Sequence, residues 1–302
     1  MKVLVTGANG FLGSHLVKHF VRNNHEVYAV SLHSYRLDAK TMALIHFSAC
    51  SMHAMTALEP RIHAFAPDVV IHCAWEGGNN YASTKSSNQF HKNIPAIGEL
   101  MEIIKRCGSP HFIGIGSAAE YGMQNCVTEM VREYPTSFYG TCKYMAKLYT
   151  QRFCETENVP WTWLRPFYTY GPDDVPTRLI PKTMMTCLKK EQVLLDECKS
   201  VVDYLYIDDF ISAVDVIATQ RKMGIFNVCS NQIYNIRDIV EKIAEMTDNK
   251  EKLVFGFSPE RADYPSVISG INMKLIDCTG WRPKVNIDEG LVKTMEFYKN
   301  YE

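Results

Sequence analysis

The chain of 302 residues has no Cys-x-x-Cys pair among its ten cysteines. Zinc and dithiol redox sites need close ligand spacing of that kind, so neither is expected. Several cysteines, such as Cys73 and Cys229, sit inside apolar strand-like runs. They read as reduced, mostly buried thiols in a cytosolic protein. No apolar run approaches the roughly 18–20 residues that span a bilayer. Met1-Lys2 leads directly into a strand, so no signal-peptide core is expected. Charge of either sign is not in excess. A net charge of −1 gives no bulk field to draw in nucleic acid or an anionic membrane. Repeats and low-complexity tracts are absent too. What remains is a chain that is 46% hydrophobic, enough for one large domain or two smaller ones.

The run Thr6-Gly-Ala-Asn-Gly-Phe-Leu-Gly13 follows the apolar strand Val3–Val5 and precedes helical periodicity at Leu16, Val17, Phe20 and Val21. Gly7, Gly10 and Gly13 in that strand–turn–helix context suit a dinucleotide site. Glycine lets the backbone approach a pyrophosphate, and the helix N-terminus offers it N–H groups. Further strands are expected at Glu26–Leu32, Val69–Ala74, Phe112–Gly116 and Trp161–Arg165. Helices are expected at Ser14–Arg22, Ile94–Arg106 and Tyr139–Glu155. Alternation of this kind predicts an α/β fold: a doubly wound, Rossmann-type parallel sheet over residues 1–171. Prolines 172, 176 and 181 mark a change. A smaller mixed α/β C-terminal lobe for substrate is expected over 172–302, with 203–230 returning to the first domain.

Tyr139 and Lys143 lie one helical turn apart. A phenol is a poor acid or base at neutral pH. A neighbouring ammonium, together with an oxidised nicotinamide, favours the phenolate and is expected to lower its pKa. A tyrosine so tuned exchanges a proton with an alcohol or a nascent alkoxide. Ser117 ends a strand, and ligands of open α/β sheets bind outside the carboxyl ends of strands. Its hydroxyl is placed to hold a reacting oxygen against the tyrosine.

These elements come with Ser117-Ala-Ala-Glu-Tyr-Gly122, Tyr139-Gly-Thr-Cys-Lys143, Leu164-Arg-Pro-Phe-Tyr-Thr-Tyr-Gly-Pro172, Asp203-Tyr-Leu-Tyr-Ile-Asp-Asp209 and Gly280-Trp-Arg-Pro283. As a set they resemble the extended short-chain dehydrogenase/reductase family, which contains nucleotide-sugar epimerases, dehydratases and ketoreductases. The resemblance covers almost the whole chain. It implies Ser117, Tyr139 and Lys143 as the catalytic residues. It implies cofactor contacts from Gly7, Asn9, Gly10, Phe11, Leu12, Gly13, Ser31, His33, Ser34, Arg36, Cys73, Ala74, Asn93 and Pro166, besides Tyr139 and Lys143. Substrate contacts are implied for Trp75, Ala119, Tyr168, Arg178 and Arg261, the last on a pyrophosphate. A homodimer through the 94–106 and 139–155 helices is implied as well.

Departures narrow the chemistry. The dehydratases carry an Asp-Glu pair where this chain has Ala118 and Ala119, so acid–base removal of water lacks its groups. The epimerase-reductases that make GDP-fucose carry a cysteine at Ala119. Tyr168 and Val202 stand where the family has an asparagine and an arginine. Hydride transfer with one proton remains. The leading expectation is reduction of a nucleotide-linked 4-keto-6-deoxy sugar. The alternatives are a 4-epimerase with tightly bound NAD and, last, a non-catalytic dinucleotide binder. An NAD enzyme usually ends its second strand on a carboxylate. Here that position is Ser31, followed by His33, Ser34 and Arg36, so NADP(H) is favoured over NAD(H).

Overall fold

The computed structural model describes residues 1–78, 81–259 and 265–300. Strands β1 (Lys2–Thr6), β2 (Glu26–Ser31), β3 (His46–Ala49), β4 (Val69–His72), β5 (His111–Ile115), β6 (Trp161–Pro166), β7 (Tyr168–Tyr170), β8 (Val193–Leu194), β9 (Val201–Tyr206) and β10 (Gly224–Val228) follow in chain order. Seven of them make one parallel sheet in the order β10-β6-β5-β4-β1-β2-β3. Strand order reverses between β1 and β4, and that switch point opens a crevice at the carboxyl edge.

Both faces of the sheet are covered, which is why its central strands carry apolar runs such as Val3–Val5 and Val69–Ile71. Val3 and Val5 pack toward one face, with Leu16, Val17 and Phe20 of helix Phe11–Arg22 and Phe210 and Val214 of helix Ile207–Thr219. Leu4 points to the other, with Ile97, Leu100 and Ile104 of helix Asn88–Arg106 and Ala146 of helix Phe138–Glu157. The last two helices carry Phe90, Met145, Leu148 and Tyr149 exposed. All ten cysteines are unpaired and six are buried. Among the described residues no helix is long and apolar enough to cross a membrane.

Two elements differ from the sequence expectation for physical reasons. Strand β3 buries only Ser48, so an apolar pattern does not mark it. The helix expected from Ile94 begins at Asn88 and runs through Pro95. Its first turns bury the amides Gln89 and Asn93 rather than apolar residues, which hides the helical period.

Strands β11 (Ile233–Asn235) and β13 (Val267–Ile268) flank β9, and β7 also pairs with β9, in a second, smaller sheet. Strand β12 (Leu253–Val254) pairs with β8. Strand β10 returns to the edge of the main sheet beside β6. Buried carboxylates clamp this lobe together. Asp203 accepts from the Ser230 and Asn231 amides and the Ser230 hydroxyl, and Asp209 from the Lys284 and Val285 amides. Trp281 donates to Ser212 Oγ at 2.8 Å. The two aspartates and the Gly280-Trp-Arg-Pro283 ending thus serve packing.

Candidate active site

A cleft of about 1170 Å³ runs along the carboxyl edge of the main sheet and continues between it and the smaller sheet. Of the expected site residues, Gly7, Asn9, Gly10, Phe11, Leu12, Gly13, Ser31, His33, Arg36, Cys73, Ala74, Trp75, Asn93, Ser117, Ala119, Tyr139, Lys143, Pro166, Tyr168 and Arg178 all line it. Ser34 does not line it; its carbonyl accepts from the Leu37 amide in a turn. Arg261 lies outside the described residues.

At one end the glycine run turns into helix Phe11–Arg22, whose N-cap is Gly10 with no side-chain cap. The N-terminal donors are therefore left to a ligand, which fits an anionic pyrophosphate. Gly13 lets the helix lie on the turn: a Cβ there would sit 2.2 Å from the Gly7 carbonyl oxygen. Gly13→Ala is expected to lower stability by about 1–3 kcal/mol through overpacking, seen as an earlier urea transition, and to weaken dinucleotide binding. Unchanged values for both would show that the turn yields.

Ser117 is extended and caps the short helix Ala118–Tyr121. Its Oγ accepts from the Ala119 amide at 3.1 Å, while its own amide donates to Glu120 Oε1 at 2.9 Å. With its oxygen engaged, the hydroxyl proton is available, and Ser117 favours the ionised form of the Tyr139 phenol. The Tyr139 helix comes this close because residue 140 is glycine. A Cβ at Gly140 would lie 2.4 Å from the Ala119 carbonyl oxygen.

Burial raises the pKa of Tyr139 above the ordinary phenol value, against the opposing hydrogen bond from Ser117 and the charge of Arg178. Without the nicotinamide charge that the expected lowering includes, the protein's own groups hold the phenol protonated, because desolvation outweighs the nearby charge. Lys143 Nζ donates to the Ile115 carbonyl at 2.7 Å and is buried. Burial pulls its pKa down to about 7, with Glu120 opposing. The thiol of Cys73 is pushed up to about 12 by burial and is no nucleophile.

Farther along, Arg178 Nη1 lies 3.1 Å from Asp174 Oδ1. Burial raises the Asp174 carboxyl to about 6, with Arg178 opposing. Sequence reasoning missed Asp174, Gln89 and Glu120. Only Glu120 carried a signal, as the fourth residue of the Ser-x-x-Glu capping pattern that Ser117 begins.

Arg36 is committed inside the protein. Its amide donates to Asn9 Oδ1 at 2.8 Å, Nη1 donates to the Asn9 carbonyl at 3.3 Å, and Nε lies 3.1 Å from Asp173 Oδ1. Asn93 is likewise occupied. It accepts from the Glu76 amide at 2.8 Å and donates to the Glu76 and Gln89 carbonyls.

Residues 3–229 match the model of the NAD dependent epimerase/dehydratase family. The chain is 26% identical to dTDP-glucose 4,6-dehydratase of Shigella flexneri, over 99% of this chain and 92% of that one. The structure superposes on UDP-glucose 4-epimerase of Thermotoga maritima with a TM-score of 0.91 at 24% identity, covering 100% and 99% of the two chains. It superposes on UDP-glucuronic acid 4-epimerase of Bacillus cereus with a TM-score of 0.90 at 23% identity, covering 100% of both. That last structure contains NAD. Together with the family's NAD dependence it overturns the expected preference for NADP(H). The physical reason lies in Arg36, whose guanidinium faces Asp173 and Asn9 rather than standing free for a 2′-phosphate.

Proposed function

The chain belongs to the NAD dependent epimerase/dehydratase family, and on that premise we propose that it is an NAD(H)-dependent enzyme reducing a nucleotide-linked 4-keto-6-deoxy sugar to the 4-hydroxy sugar. One observation carries the reading. Ser117, Tyr139 and Lys143 meet at the carboxyl edge of the sheet, while positions 118 and 119 are alanine. The site supports hydride and proton exchange and has no carboxyl pair there for removing water. NAD(H), when bound, supplies or accepts the hydride.

The chain's own groups handle the proton. Tyr139, kept protonated by burial, gives its proton to the oxygen formed on the sugar. The Ser117 hydroxyl then donates to the phenolate, and the charge of Arg178 favours it as well. Lys143, in its protonated form, adds a positive charge near the phenol. Arg261, on the resemblance, holds the substrate pyrophosphate.

A second reading is a nucleotide-sugar 4-epimerase. It needs the same three residues, and both structural relatives above are described as 4-epimerases. One set of assays separates the two. NADH absorbance is followed with 4-keto-6-deoxyhexoses on CDP, GDP, dTDP and UDP. UDP-glucose and UDP-glucuronate are incubated in parallel and their products resolved. Stoichiometric NADH loss with a keto sugar is the expected result. Interconversion of 4-epimers without net NADH change establishes the second reading instead. Turnover of neither class overturns both.

A further inference from the structure

Trp75 extends beyond β4 into the cleft, and two buried amides from helix Asn88–Arg106 fix it there. The Trp75 Nε1–H donates to Gln89 Oε1 at 2.8 Å. Gln89 Nε2 donates to the Gly77 carbonyl at 2.9 Å and the Ser83 carbonyl at 3.1 Å. Two carbonyls on one side and an indole N–H on the other leave Gln89 a single amide orientation. Asn93 clamps the next residue, Glu76, through both its amide and its carbonyl. The indole therefore has one placement.

That placement faces both catalytic side chains. Lys143 Nζ lies 3.8 Å from the centre of a Trp75 ring. The indole and the Tyr139 ring meet edge to face, with centroids 6.0 Å apart. A cation over an indole face is attracted to it, most strongly where water is excluded. The Lys143 ammonium is thus held between the Ile115 carbonyl and the indole.

We infer that Trp75, locked by Gln89, is a positioning residue that keeps Lys143 charged and aligned with Tyr139 inside a buried site. The inference rests on the catalytic assignment of Tyr139 and Lys143 and not on which sugar is turned over. Burial alone favours the neutral amine, and the indole face opposes it.

The test reads Lys143 directly. Full-length protein labelled with [ε-¹³C]lysine is titrated by ¹³C NMR, and the Lys143 signal is identified by its loss in Lys143→Met. Trp75→Leu keeps water out but removes the π face. Its Lys143 midpoint is expected to fall by about one pH unit. Trp75→Phe retains a π face and is expected to stay nearer the parent. Should Trp75→Leu fail to fold, Gln89→Met removes the indole's acceptor and the donors that orient it without adding a charge, and a lower midpoint is expected there too. A parental midpoint in folded Trp75→Leu, or equal shifts in the Leu and Phe variants, overturns the inference. The titration uses no substrate, so it stands apart from the assays of the proposed reaction.

Discussion

Tyr139→Phe is expected to lower turnover by about 100- to 10,000-fold, the usual range for loss of a positioned general acid, while NADH still binds. The substitution deletes one hydroxyl. Its ring still packs edge to face on Trp75, and the helix cap at Ser137, which accepts from the Gly140 amide at 3.1 Å, is untouched. The loss should fall on kcat and kcat/KM alike, because the proton is given only as the reaction proceeds. Burial strengthens the prediction. A phenol held above its ordinary pKa is protonated at neutral pH, so the parent enzyme is loaded with the proton that the variant lacks. Turnover within a few-fold of the parent, measured on whichever substrate the panel identifies, would remove Tyr139 from the mechanism. Retained NADH fluorescence enhancement is the companion measurement, showing that the cleft itself persists.

The parallel sheet was legible because its strands are buried on both faces, so apolar runs such as Val69-Val70-Ile71 carry the signal unaided. The meeting of Ser117, Tyr139 and Lys143, the residues proposed for catalysis, was legible because one helical turn and one strand end suffice to place them. Features that depend on partners distant in sequence were not legible. Arg36 stood five positions after Ser31 in the chain and invited a phosphate reading. Asp173, far away in sequence, neutralises it, and no local pattern could announce that pairing. Gln89 was hidden for the opposite reason. Buried amides look like exposed ones in a sequence, and they break the apolar period of the helix that carries them. Trp75 was legible as a cleft residue, but its partner Gln89 is what gives the indole a direction.

Arg165→Met should destabilise the protein by about 3–5 kcal/mol, the cost of stripping one partner from a buried ion pair. Arg165 and Glu120 are both fully buried. Arg165 Nε donates to Glu120 Oε2 at 2.8 Å, Nη1 donates to the Tyr121 hydroxyl at 2.7 Å, and Nη2 pairs with Glu133. Glu133 also takes Lys147 Nζ at 2.9 Å, one helical turn beyond Lys143. The other oxygen of Glu120 accepts from Trp163 Nε1 and from the Ser117 amide, both at 2.9 Å. Strand β6, the Ser117 turn and the helix of Tyr139 and Lys143 are therefore joined through one charged network. Methionine fills much of the volume but leaves the Glu120 carboxylate with only neutral donors. A second substitution separates charge from packing. In Glu120→Gln/Arg165→Met the uncompensated charge is gone, and the glutamine oxygen can still accept from Ser117 and Trp163. Part of the lost stability should return, in the way that replacing both members of a buried pair is milder than removing one. Urea denaturation of the two variants and the parent gives the comparison. An Arg165→Met protein within about 1 kcal/mol of the parent, the common effect of an ordinary substitution, would mean that water or a side-chain shift relieves Glu120. The network would then orient the Ser117 turn without holding the fold.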